Sequence, residues 1–219
     1  MPRRLRPSVS APPPRTYPEL LAGESLPPAP RQERSRRNRE ALLDATLATF
    51  AERGYDASTI DEIGRRAGVA VGGFYLHFRS KRQALLVLMD RLLGELAKLE
   101  PALGAADAKA AVTTLVREAL RVDIAYLGAY RAWHEAVLRD EELLTLHESI
   151  DAWTTARIAA LLEAVRAAPN ARSDVDPAVL ARILNALFWR LTQMRAGEGA
   201  AILKSATALV VHAVFVDDA

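Results

Sequence analysis

Residues 58–81, STIDEIGRRAGVAVGGFYLHFRSK, leave few choices for the backbone. Thr59 followed three residues later by Glu62 is a capping box, in which the two residues satisfy each other's amides and open a helix at Ile60. Ile60, Ile63 and Ala67 fall on one face of that helix, with Arg65 and Arg66 turned away. Gly68 accepts the left-handed conformation that ends it, so the chain can reverse sharply. Val69, Phe74 and Phe78 then give the next short segment an apolar face. This is the layout of a helix-turn-helix, whose second helix suits the DNA major groove.

The remainder of the chain fits an all-helical protein. Half of its 219 residues are apolar and only 6% are aromatic, enough for a large buried core but with few strand-like runs. Cysteine is absent, which excludes disulfides, thiolate metal sites and cysteine nucleophiles. No uninterrupted apolar run approaches bilayer length, and the N-terminal arginines lead into prolines rather than an apolar signal segment. A cytoplasmic protein without a membrane partner is expected. Residues 1–82 hold 15 Lys/Arg against 9 Asp/Glu, a balance of +6, and the rest hold 14 against 18, a balance of −4. Such a split suggests that only the first part meets a polyanion.

Prolines at 12–14, 27, 28 and 30, without helical periodicity, predict a disordered Pro/Arg-rich arm over residues 1–30. Its Arg3, Arg4, Arg6 and Arg15 are suited to phosphates or a minor groove. A helix-turn-helix unit over 31–88 and a helical domain over 89–219 follow. Ser80 caps a fourth helix that links the two, closed by Pro101 and Gly104. Beyond it the pattern predicts helices near 108–127, 129–139, 142–168, 177–196 and 199–216, the firmest start being Asp176-Pro177.

Several landmarks in order, REALLDATLATFAERGYDAST (39–59), DEIGRRAGVAVG (61–72) and FYLHFRSKRQALL (74–86), give residues 37–86 a close resemblance to the DNA-binding domain of TetR-family transcriptional regulators. The resemblance implies an all-α fold: an N-terminal three-helix helix-turn-helix domain and a C-terminal bundle for ligand binding and dimerisation. It places Val71, Gly72, Gly73, Leu76 and His77 toward the groove. Tyr75, Lys81 and Thr59 fall at phosphate contacts, and Arg36 and Arg37 enter the first helix near the DNA backbone. Hydroxyl, ammonium and helix N-terminus are suitable phosphate ligands, and Val71 and Leu76 can pack on thymine methyls. The glycine pair allows close packing or a close approach to DNA. With few polar groups on this helix, specificity would lean on DNA shape or on the arginine arm.

In the C-terminal part, Tyr126, Tyr130, Trp133, His134, Trp153, Phe188 and Trp189 are candidates to line a site for an apolar or aromatic effector, although aromatics at helical spacing also serve as ordinary core. Glu118, Asp123, Glu135 and Asp140 are scattered acids expected to be solvated or salt-bridged. Stripes at Leu180, Ile183, Leu184, Leu187, Leu191 and at Ile202, Leu209, Val210, Val214 would form a homodimer interface, as the resemblance implies, or pack within one subunit. The four histidines lack metal-site spacing, and no nucleophile elbow, P-loop or dinucleotide fingerprint is present. Neither metal, cofactor nor catalysis is expected. The expected function is a ligand-responsive regulator, usually a repressor, that binds a palindromic operator in double-stranded DNA as a homodimer and is released by a small molecule. Alternatives are an all-α binder or enzyme carrying a helix-turn-helix, and a ligand-free nucleoid-type protein.

Overall fold

A computed structural model describes residues 17–100, 107–193 and 199–216. The described residues form helices α1 (Glu33–Arg53), α2 (Ile60–Ala67), α3 (Val71–Tyr75), α4 (Lys81–Ala97), α5 (Ala108–Ala125), α6 (Leu127–Val137), α7 (Glu141–Val165), α8 (Pro177–Leu191) and α9 (Gly199–Val214). Side-chain caps set most starts. Thr59, Ser80, Asp107, Asp140 and Asp176 each accept from amides in the first turn of the helix that follows. Pro177 occupies the first turn of α8, where its missing N–H costs nothing. Half of the expected capping box is present, Thr59 Oγ1 accepting the Glu62 N–H at 3.2 Å, whereas the Glu62 carboxylate pairs with Arg53 at 3.0 Å and with Arg65 at 3.7 Å. Pro101, Gly104 and Ala196, expected at helix ends, lie outside the described residues.

The expected division near residue 88 is not a break in the core. One apolar cluster runs from Leu42, Phe50, Ile63, Phe74 and Phe78 through the length of α4 into Tyr130, Trp133, Leu143 and Ile150. Helix α1 packs on α2 and on α6, so the head rests directly on the larger bundle. A second, smaller cluster at the far end joins Val112, Leu162, Val165, Ala181, Val211, Val214 and Phe215. There the chain after α7 pairs with the end of α9, through Arg172 N–H to Val214 O and Val216 N–H to Asn170 O, both 2.9 Å.

The arm expected over residues 1–30 needs correction. Residues 1–16, with all four arm arginines, lie outside the described residues, but from Tyr17 onward the segment is packed. Leu20 is buried in the main core. Tyr17 meets Trp153 edge-on, with ring centroids 6.5 Å apart, and its hydroxyl lies close over Gly94. Glu24 accepts from Arg82 and, at 2.8 Å, from the Gln83 amide. The prolines at 27, 28 and 30 suppress helix here, yet Tyr17, Leu20, Leu21 and Leu26 before them pack on the main core.

Candidate nucleic-acid interface and interior cluster

Gly68 sits at φ 67, the left-handed conformation anticipated for the turn, and its N–H closes on Arg65 O. The turn is held from below by Phe74 and Phe78, both fully buried, which fix α3 by its apolar side. Its other side is bare: Leu76 is 71% exposed, Tyr75 51% and Val71 39%. These three form an outward ridge beside Gly72, where an added Cβ would meet open space. Gly73 differs, because a Cβ there would press on the Val69 side chain, so it serves close packing. Thr59 is exposed at the start of α2, and Arg36 and Arg37 are exposed at the start of α1, each paired with Glu33.

Two of the expected DNA-facing residues are placed differently. His77 is buried, 6% exposed, beneath the ridge rather than on it. Burial, with Arg39 nearby, holds its imidazole below the ordinary value and therefore uncharged at neutral pH. Lys81 turns inward. Its ammonium donates to the carbonyl oxygens of Tyr55 (2.6 Å), Ser58 (3.1 Å) and Asp56 (3.3 Å), and lies 4.4 Å from the centre of the Tyr55 ring. It thus ties the α1–α2 connection to the start of α4, a structural duty that spends all three N–H donors.

The interior candidates separate into two groups. Tyr130, His134, Phe188 and Trp189 converge with His147, which its sequence spacing does not single out. Trp189 lies at centroid distances of 4.6 Å from His147 and 5.7 Å from both Tyr130 and His134, edge-on to each. Trp133 is fully buried beside them and donates its indole N–H to His147 Nδ1 at 3.3 Å, which fixes that nitrogen as an acceptor. Burial lowers both imidazoles, and their mutual repulsion lowers His134 further. Tyr126 and Trp153 belong elsewhere. The Tyr126 hydroxyl donates to Glu95 on α4, and Trp153 is covered by Tyr17 and Arg157.

The acids expected to be solvated are more varied. Glu118 pairs with Arg121, and Asp140 with Arg82. Asp123 is buried, 4% exposed, and receives the Tyr130 hydroxyl at 2.8 Å. Loss of solvation pushes its carboxyl up to about 8, against the weaker downward pull of that hydrogen bond. Glu135 accepts the backbone N–H groups of Tyr55 (2.6 Å) and Asp56 (3.2 Å). Beside it, Arg131 donates to Ala51 O and Glu52 O, and Gly128 lies against α1 at Leu47 and Ala51. Residues 128, 131 and 135 form one face of α6, and Tyr130, Trp133 and His134 form another. A single helix therefore touches both the head and the aromatic cluster.

Among the described residues no helix is long and apolar enough to cross a membrane, and no group of three or more His, Cys, Asp or Glu could hold a metal ion. On α8 and α9, Leu184, Ile202 and Val214 are buried within the subunit, while Val179, Ile183 and Leu209 stay exposed, as does Val216 just past the end of α9.

Residues 42–87 match the model for bacterial regulatory proteins of the tetR family. Over 113 residues the chain is 34% identical to the transcriptional regulator BetI of Rhizobium meliloti, covering 49% of this chain and 56% of that one. Over 62 residues it is 44% identical to the transcriptional activator FasR of Mycolicibacterium smegmatis, covering 28% and 26% respectively. The matched stretches thus span less than two thirds of either relative. A solved structure of the fatty acid degradation regulator FadR from Bacillus halodurans is similar with a TM-score of 0.59 at 18% identity, over 80% of this chain and 94% of that one. At that identity the likeness concerns the fold.

Proposed function

For a chain that belongs, by its residues 42–87, to the tetR family of bacterial regulatory proteins, we propose a homodimeric, effector-responsive repressor acting on a palindromic operator in the cytoplasm. The observation that carries this reading is the ridge of Val71, Tyr75 and Leu76, apolar or aromatic side chains exposed on a short helix whose opposite side is locked by Phe74 and Phe78. A soluble protein gains nothing from such a ridge unless something covers it. Thymine methyls suit Val71 and Leu76, a phosphate suits the Tyr75 hydroxyl, and Gly72 lets the backbone come close. Thr59, Arg36 and Arg37 stand ready for flanking phosphates. Two copies joined through the exposed faces of α8 and α9 would present two ridges to major grooves about 34 Å apart.

Helix α6 supplies the route for release. An effector that moves the Tyr130–His134–Trp189 group moves the helix whose other face holds the end of α1 through Arg131 and the α1–α2 connection through Glu135. Release needs an effector with higher affinity for the displaced state than for the DNA-bound one. The name of FasR supports activation as a second reading, separated from repression by the sign of a reporter response. The test is selection of DNA from a random library by the full chain, then mobility-shift titration of the recovered sequence. Tyr75→Ala and Leu76→Ala should each weaken binding about tenfold or more, the loss of one good contact, while melting temperature stays unchanged. Binding indifferent to sequence and to both substitutions would overturn the proposal in favour of a nucleoid-type protein.

A further inference from the structure

Among the described residues, two buried side-chain atoms lack a hydrogen-bond partner: Asn185 Oδ1 and Trp189 Nε1. They lie four residues apart on α8 and therefore share one face of it. That face is turned away from the exposed Ile183, which separates the pair from the outward apolar side of α8. The Asn185 amide orientation is determined by its other end, because Nδ2 donates to Asp151 Oδ1 and Thr155 Oγ1, both 2.8 Å away on α7. Asn185 itself is 2% exposed. One orphaned acceptor and one orphaned donor thus lie one helical turn apart, the donor on the ring that meets Tyr130, His134 and His147 and the acceptor on the side chain bonded to α7. Leaving either unpaired in the folded protein is costly, so each calls for a partner from outside the chain, bound water or a ligand.

We propose that Asn185 Oδ1 and Trp189 Nε1 are the polar anchors of the effector site, and that the effector is a flat, uncharged aromatic molecule bearing a carboxamide-like edge. This rests on the effector-responsive reading above. A carboxamide offers an N–H to Asn185 and a carbonyl to Trp189, with hydrogen bonds of about 2.9 Å on either side spanning neighbouring side chains on a helix. The described rings that meet Trp189 and the described side chains bonded to Asn185 include no arginine or lysine to hold a carboxylate, and burial lowers both imidazoles, in His147 against the upward pull of Asp151 and Glu148. A cation would leave the indole N–H without an acceptor. The surrounding rings supply the stacking faces.

The experiment is calorimetric titration of the full-length protein with 2-naphthamide, N,N-dimethyl-2-naphthamide, 2-naphthoate and naphthalene. The primary amide should bind at least about tenfold tighter than each of the other three, the loss expected when a hydrogen-bonding partner is left unmade. Trp189→Phe should erase much of that advantage without lowering the melting temperature of the ligand-free protein, since it removes an unpaired donor. Equal binding of the amide and its dimethyl analogue, an undiminished preference in Trp189→Phe, or no amide binding at millimolar concentration would each overturn the proposal. Operator affinity measured in the same samples tells the two readings apart. Amide preference without any change in DNA binding supports the anchors and overturns the effector role. DNA binding without amide preference overturns the anchors alone.

Discussion

Replacing Asp123 by asparagine should stabilise the protein at neutral pH and remove a pH dependence that the native chain carries. Asp123 is enclosed, with Tyr130 donating to it at 2.8 Å, and its carboxyl is pushed up to about 8 by burial. In the unfolded chain the same group ionises near its ordinary value of about 3.9. Between those values the folded protein holds a proton that the unfolded chain has released, so folding takes up a proton. Stability from this group is therefore complete below pH 4 and falls as pH rises toward 8. The slope is about 1.4 kcal/mol per pH unit, or about 2.7 kcal/mol between pH 5 and pH 7. Asparagine resembles the protonated acid in shape, keeps an acceptor for Tyr130 and cannot ionise. Urea denaturation of both proteins at pH 5, 6 and 7, followed by circular dichroism, gives the difference at each pH and cancels the other titrating groups. The stability of Asp123→Asn relative to the parent should grow steadily with pH. A difference that stays flat or shrinks would refute the reasoning.

Two further outcomes follow from contacts that hold the head. Lys81→Met removes a charged donor from three carbonyl groups and should cost about 2 kcal/mol, lowering the melting temperature by several degrees in a calorimetric scan; its effect on operator affinity should be smaller than that of Leu76→Ala. Gly128→Ala places a Cβ against the Leu47 carbonyl and within 3.0 Å of the Ala51 N on α1, both backbone atoms that cannot rotate aside. It should destabilise the protein by about 1–3 kcal/mol and raise hydrogen exchange in the α1–α2 connection.

How much of this was legible in the sequence depended on the range over which each residue acts. The caps at Thr59, Ser80 and Asp176, the glycine turn at Gly68 and the apolar sides of the helices are local, and periodicity reveals them. Glu135 bonds to amides about eighty residues earlier in the chain, and nothing near it in sequence distinguishes it from a solvated acid. Asp123 looked equally ordinary, because its burial depends on Tyr130 and on helices far along the chain. Lys81 and His77 sit in a motif that reads as DNA-facing, yet their directions depend on where the α1–α2 connection and Arg39 come to rest. Leu20 and Tyr17 were hidden by the prolines after them, which forbid a long helix but not a packed turn. His147 carries no metal-site spacing, and its role beside Trp133 and Trp189 appears only once α7 crosses α6 and α8.

Helix α6, with one face on the α1–α2 connection and the other on the aromatic group, has a consequence for dosage. Under the proposed function, coupling between the two binding events is reciprocal, so DNA would reduce affinity for the small molecule by the same factor by which the small molecule reduces affinity for DNA. Each occupied promoter would then act as an antagonist. A cell carrying extra copies of the target sequence on a plasmid should need a higher inducer dose for half-maximal response, even with the amount of regulator scaled to match.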